Sequence, residues 1–211
     1  KLINNSIKRE NFQRNMAFKS LEVADPDDFI LINDIDEIPN LKNIDLNKIN
    51  NKIIIFKQKI YYYKFNLLYT NTIWHGSKAC KKRNLLSPQW LRNVRHKQYP
   101  FWRFDILFSK TKYTDLFHVE NGGWHFTNIK SPEDINKKFL NFLHHQDFEA
   151  SGLKLEDVKE MVKNKKVLYD LATDQREYKW RGQKTLQKTD LSEMPDYLSK
   201  NLNKYSRWLE I

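Results

Sequence analysis

Apolar positions along this chain follow first a helical spacing, then a strand spacing, then a helical one again. From 9 to 23, Phe12, Met16 and Val23 project to similar sides among Arg9, Arg14 and Lys19, which predicts a helix. "ADPDD" (24–28) breaks it, because Pro26 and its Asp neighbours favour a turn. Phe29 to Asn33 is a short, almost continuously apolar run, as expected of a strand covered on both faces. "KIIIF" (52–56) and "KIYYYKF" (59–65) are β-branched and aromatic, and predict two more strands. The region 76–100 is basic and irregular in pattern, "FWRFDILFSK" (101–110) reads as a strand, and "GGWHFT" (122–127) as a glycine-led turn into another.

Behind residue 130 the pattern becomes helical. Ser131 and Asp134 fit a capping box with Pro132 at the first helical position, followed by Ile135, Phe139, Phe142 and Leu143 on one face. A second helix, 154–164, groups Leu155, Val158 and Val162; a third, 195–209, groups Leu198, Leu202, Tyr205 and Leu209. No repeat or Gly/Ser-rich linker divides the chain. The expectation is one α/β domain over 1–211, with a sheet part (1–130) and a helical C-terminal third (131–211).

Composition narrows the class. With 211 residues, 40% hydrophobic and 30% charged, the chain can bury a substantial core. No apolar run approaches the roughly 18 residues of a membrane span. Cys80 is the single cysteine, so it can form neither an internal disulfide nor a cysteine zinc site, and a small core residue is expected there. Lacking cysteine pairs and a membrane anchor, the chain suits the cytoplasm of a bacterium or a virus-infected cell. The net charge of +11 points toward anionic ligands. Because 28 Lys stand against 9 Arg, and Arg is the better reader of bases, nucleotide phosphates are favoured over nucleic acid.

Within this basic chain, "FILINDIDEIPN" (29–40) sets Asp34, Asp36 and Glu37 at the end of an apolar strand. A strand ending in D-x-D aims carboxylates at the carboxyl edge of a sheet, where open α/β sheets bind ligands. Like charges this close repel unless a cation lies between them. A hard divalent ion, Mn2+ or Mg2+, resolves the repulsion and keeps positions for water and phosphate. The plain alternative is a turn whose acids cap amides or pair with lysines.

"DDFILINDIDEIP" resembles the D-x-D segment of the family-17 glycosyltransferases, the β-1,4-mannosyl-glycoprotein β-1,4-N-acetylglucosaminyltransferase family. Further similarities follow in order: "RENFQRNMAF" (9–18), "GGWHFT" (122–127), "SPEDINKKFLNFLHHQDF" (131–148) and "MPDYLSKNLNKYSRWL" (194–209). The resemblance implies a GT-A-like (Rossmann-like) mixed sheet, a UDP-sugar donor carrying N-acetylglucosamine, Mn2+, and inverting transfer to a glycan or glycoprotein hydroxyl. Asp34 and Asp36 match the metal-binding pair, Glu37 the adjacent acid that orients donor or metal-bound water, and Trp124 and His125 the second motif. His125 is a candidate metal ligand or a donor to the diphosphate. Family members begin with a further β/α segment ahead of the 9–18 helix. The resemblance therefore also implies a fragment, or a short member lacking the N-terminal part of the fold.

An inverting transfer needs cations for the leaving diphosphate and a carboxylate for the acceptor's proton. Arg14, Arg92, Arg95 and Arg103 are candidates for the first role. For the second, Asp105, flanked by Phe104 and Ile106 in the expected aromatic strand, competes with Glu120, just before the glycine turn and favoured for it. Trp74, Trp90, Trp102 and Tyr61 to Tyr63, Tyr62 among them, are candidate sugar-stacking platforms. Two other readings use the same residues: a metal-dependent nucleotidyltransferase or nuclease, and a carbohydrate-binding fragment without turnover.

Overall fold

A computed structural model describes residues 2–42, 44–100, 102–141, 145–171, 179–180 and 184–211. It is a mixed α/β structure with two mixed sheets. In chain order its elements begin α1 (Leu2–Met16), β1 (Phe29–Ile32), β2 (Glu37–Pro39), β3 (Ile53–Phe56), β4 (Gln58–Tyr62), β5 (Leu67–Trp74) and β6 (Lys78–Lys81). They continue α2 (Pro88–Asn93), β7 (Leu116–Val119), β8 (Gly123–Thr127), α3 (Pro132–Asn141), α4 (His145–Ala150) and α5 (Leu155–Lys163). The last are β9 (Gln187–Lys188), α6 (Asp196–Ser199) and α7 (Leu202–Tyr205). The chain divides into two compact units, 1–58 with 74–123 and 59–73 with 124–211.

The first unit is built on a four-stranded sheet in the order β1-β6-β3-β7. β6 runs antiparallel to β1 and β3, while β3 and β7 are parallel, so β1, β3 and β7 all end at one edge. The pleat explains the apolar run of β3. Ile53 and Ile55 join Ile30, Cys80, Leu91 and Leu116 on one face, while Ile54 and Phe56 join Ala79 and Val119 on the other. Both faces are covered, so the strand shows no alternation. Cys80 sits in this core, where burial pushes its thiol up to about 12.

In the second unit the strand order is β8-β4-β5-β9, with β4 and β8 parallel and β5 and β9 antiparallel. Tyr61, Phe126, Met194 and Leu198 form one core cluster. Helix α3 packs on α4 and α5 through buried Ile135 and Phe139. Its start bears one half of the expected capping box: the Asp134 amide donates to Ser131 Oγ at 3.2 Å, while the Asp134 carboxylate accepts from the Ser131 hydroxyl at 2.9 Å, where a capping box uses the Ser131 amide. Phe142 and Leu143, expected on the same face, lie outside the described residues, as does Phe101.

Several expectations are corrected. The helix expected at 9–23 begins at Leu2, ends at Met16 and tightens into a 3-10 turn (Ala17–Leu21), leaving Phe12 and Val23 exposed. The irregular stretch 76–100 contains β6 and α2. The strand expected at 101–110 is instead, among the described residues, a 3-10 turn (Phe104–Ile106), because the Ile106, Leu107 and Ser109 amides bond carbonyls three residues back; exposed Asp105 pairs with Arg103 and Lys112. The last helix breaks at Lys200 and Asn201 into α6, α7 and a 3-10 turn.

Candidate functional site

The turn after β1 assembles the acids. The Glu37 amide donates to the Asp34 carbonyl at 3.0 Å, which folds residues 34–37 back and sets the first and fourth side chains together. The Asp34 amide then donates to Glu37 Oε2 at 3.0 Å, and Asn33 Nδ2 donates to the Glu37 carbonyl at 3.1 Å. Asp34 therefore pairs locally with Glu37, whereas sequence spacing had coupled it to Asp36.

The Glu37 side chain is fully buried at 0% exposure. Its carboxylate accepts from Trp74 Nε1 at 2.6 Å, Ser77 Oγ at 3.3 Å, and Arg92 Nη2 and Nη1 at 2.7 and 3.1 Å. With the Asp34 amide, five donors converge on two oxygens, so Glu37 positions its neighbours and presents no oxygen to solvent. Gly76 is obligatory beside it: a Cβ there would lie 1.8 Å from Glu37 Oε1 and 2.2 Å from Trp74 Nε1.

Two guanidiniums complete the cluster. Arg92 Nη2, on α2, donates to Asp34 Oδ2 at 2.6 Å, and Arg14 Nη2, on α1, donates to Asp34 Oδ1 at 3.0 Å. Ser87 caps α2, accepting from the Trp90 amide at 3.1 Å, and Pro88 opens it, which sets Gln89 and Arg92 toward the acids. Gln89 accepts from Arg14 and donates to Asn93 at 2.9 Å. Burial opposes the charge of Arg14, but Asp34 and Glu10 outweigh it and raise its pKa. Beneath them Lys78 is buried and donates to the Arg92 and Val94 carbonyls, both at 2.6 Å. Burial and the Arg92 charge lower it to about 8. Asp34 stays partly open to solvent, Asp36 is partly buried, and Ile35 between them is fully exposed.

The same sheet edge carries a second group. The His75 and His96 rings stack with centroids 4.2 Å apart, and His118 Nε2 donates to the His96 carbonyl at 2.8 Å. Burial, with His96, His118, Lys57 and Lys78 around it, lowers His75 to about 4. Lys57, following β3, pairs with Glu120, following β7, at 2.5 Å. The glycine turn then meets the segment after the acids: the Asn40 amide donates to the Gly122 carbonyl at 2.9 Å, and Gly123 (φ +127°) would place a Cβ 2.1 Å from the Ile38 carbonyl. "DEIP" and "GG" are thus packed backbone on backbone.

The remaining candidates have other surroundings. Asp105 is not a buried base: it is exposed, and hydrogen bonds from Arg103 and Lys112 lower it to about 2. Arg103 is committed to it through two 2.8 Å bonds. Trp74 is not a free stacking platform, since its indole N–H is held by Glu37. Tyr62 is core, 1% exposed, its hydroxyl donating to the Tyr169 carbonyl at 2.8 Å. Trp124 donates to the Glu193 carbonyl at 2.7 Å, and His125 is buried on β8; both belong to the second unit. Among the described residues no group of three or more His, Cys, Asp or Glu side chains is arranged to hold a metal ion. Sequence reasoning missed Gly76, Ser77, Lys78 and Gln89; the one signal for the first three was the small pair Gly-Ser between aromatic and basic residues in "WHGSK".

Comparison with protein-family models, with curated proteins and with solved structures finds no match to this chain.

Proposed function

We propose that the chain is a glycosyltransferase of GT-A-like fold that moves a sugar, N-acetylglucosamine on the resemblance, from a UDP-sugar to a glycan hydroxyl with inversion. The observation that carries this reading is that Asp34, held by the Arg14 and Arg92 guanidiniums, and the Lys57–Glu120 pair lie along the one sheet edge where β1, β3 and β7 end. Such an edge is where open α/β sheets take nucleotides.

The Asp34 and Asp36 carboxylates are hard oxygen donors of the kind a divalent ion takes together with water and phosphate, and an ion at Asp34 would share oxygens already bonded to Arg14 and Arg92. Asp34 and Asp36 would hold Mn2+ or Mg2+, which supplies positive charge against the departing diphosphate. The chain's own residues do the rest. Glu37 fixes the turn that aims Asp34 and anchors Arg92 from below. Arg14 and Arg92 hold Asp34 in one orientation and bring two fixed cations to the side where negative charge develops. Glu120, exposed at this edge, is the carboxylate that takes the acceptor's proton.

The test is thermal stability of the chain and of Asp36→Ala with Mn2+ and a panel of UDP-sugars. One UDP-sugar raises the melting temperature of the chain and leaves the variant unmoved. Absence of a shift with every nucleotide sugar, together with salt-sensitive binding of an oligonucleotide, overturns the reading in favour of a nucleic-acid enzyme.

A further inference from the structure

The excursion between Arg95 and Thr111 takes no part in the carboxylate cluster, yet it is a built element. Its neck is closed by the Arg95 amide donating to the Thr111 carbonyl at 2.7 Å. Inside, the Ile106 amide donates to the Arg103 carbonyl at 3.2 Å, Leu107 to Phe104 at 3.1 Å and Ser109 to Ile106 at 3.0 Å. Trp90 Nε1 fastens the returning limb by donating to the Lys110 carbonyl at 2.6 Å. Four of its described apolar side chains lie outward: Trp102 is 65% exposed, Phe104 78%, Leu107 77% and Phe108 89%. Single exposed apolar residues are ordinary, but four within seven positions form a patch that normally marks a binding surface.

The charges around the patch select its partner. The same segment carries Arg95, Lys97, Arg103, Lys110 and Lys112, and its one carboxylate, Asp105, is neutralised by Arg103 at 2.8 Å and Lys112 at 2.6 Å. The tip is apolar and aromatic, the collar cationic, and no uncompensated negative charge lies between. We propose that the 95–111 loop docks on an anionic phospholipid surface, with Trp102, Phe104, Leu107 and Phe108 entering the headgroup region and the collar meeting lipid phosphates. A second copy is disfavoured as occupant because it brings two cationic collars face to face. A stacked single-stranded nucleic acid calls for aromatic faces lining a charged channel. Here the side chains stand out from the surface, and Leu107 has no ring to stack. No described helix is long and apolar enough to cross a membrane.

The experiment is co-sedimentation of the chain with vesicles of phosphatidylcholine alone or with about 30 mol % phosphatidylserine, over a range of salt. The chain binds the anionic vesicles, less as salt rises, and brominated lipid quenches emission that Trp102→Phe lacks. The triple variant Phe104→Ser/Leu107→Ser/Phe108→Ser loses about tenfold or more of the binding, and so does Lys97→Glu/Lys110→Glu. Both keep the parental melting temperature, since the substituted side chains are exposed. No binding to either vesicle, or binding that the triple variant leaves intact, overturns the proposal. Capture of a single-stranded oligonucleotide or an acidic protein through these aromatics, without vesicle binding, assigns the loop to that partner instead.

Discussion

Replacing Glu37 by Gln tests the central arrangement with almost no change in shape. The carboxylate is out of solvent and accepts two bonds from Arg92, one each from Trp74 and Ser77, and one from the Asp34 amide. A Gln amide presents one oxygen and one NH2 group, so at least one of these donors faces another donor. Breaking a buried ion pair by removing one member costs about 3–5 kcal/mol. Arg92 keeps a second partner in Asp34 at 2.6 Å, and it is 13% exposed, so the lower end applies. A loss of about 3 kcal/mol is a large part of the roughly 5–15 kcal/mol that stabilises a typical domain. In urea, with a slope of about 2–3 kcal/mol per molar, the midpoint falls by about 1–1.5 M. The assay is equilibrium urea denaturation followed by circular dichroism, with the slope compared between proteins. A midpoint shift below about 0.3 M at unchanged slope refutes the reasoning, because it means that the five donors are satisfied without the charge.

Gly76→Ala reaches the same network from the opposite side: its methyl group, 1.8 Å from Glu37 Oε1, displaces the Trp74–Glu37 bond and costs about 2–4 kcal/mol in urea denaturation. Tyr62→Phe removes the hydroxyl donated to the Tyr169 carbonyl and lowers stability by about 1–2 kcal/mol. Unchanged stability with lost saccharide binding would restore Tyr62 as a sugar platform. The pH dependence follows from His75, whose pKa falls from 6.5 in the unfolded chain to about 4 in the fold. As pH drops through 6.5 the unfolded chain takes up a proton that the folded chain refuses, so stability declines toward pH 4 and no further below it. Allowing for partial exposure of the ring, the contribution is about 1–2 kcal/mol, and His75→Asn removes that part of the slope in denaturation measured at several pH values.

Local signals made part of this structure legible. Apolar runs marked β1, β3 and β4, and Ser131-Pro132 with Asp134 marked the start of α3, because each is decided by neighbours in sequence. What failed depends on distant partners. Lys78 and Lys81 bracket β6 and made the stretch read as basic and irregular, yet the Lys78 ammonium is buried against the Arg92 and Val94 carbonyls of a later segment. "FWRFDILFSK" has strand-like composition, but among the described residues no strand faces it and its amides bond carbonyls three residues back. At the site, the acids were legible as a cluster but their division of labour was not. Spacing by two suggested Asp34 with Asp36, while the turn joins Asp34 to Glu37 and buries the latter under Trp74, a residue far along the chain.

That division of labour makes the two halves of the ion pair unequal. Glu37→Gln leaves Arg92 with Asp34, whereas Arg92→Met leaves the Glu37 charge in a site with 0% exposure, bonded to the neutral donors Trp74, Ser77 and the Asp34 amide, with buried Lys78 as a nearby cation. A buried carboxylate that has lost its bonded cation is the costlier remnant, so Arg92→Met destabilises more than Glu37→Gln, by about 4–5 kcal/mol against about 3. Equilibrium urea denaturation of the two variants separates them: the midpoint of Arg92→Met falls further than that of Glu37→Gln at unchanged slope. Equal midpoints, or a smaller fall for Arg92→Met, would show that the Glu37 charge is compensated chiefly by something other than Arg92, with Lys78 the nearest cation left to do so.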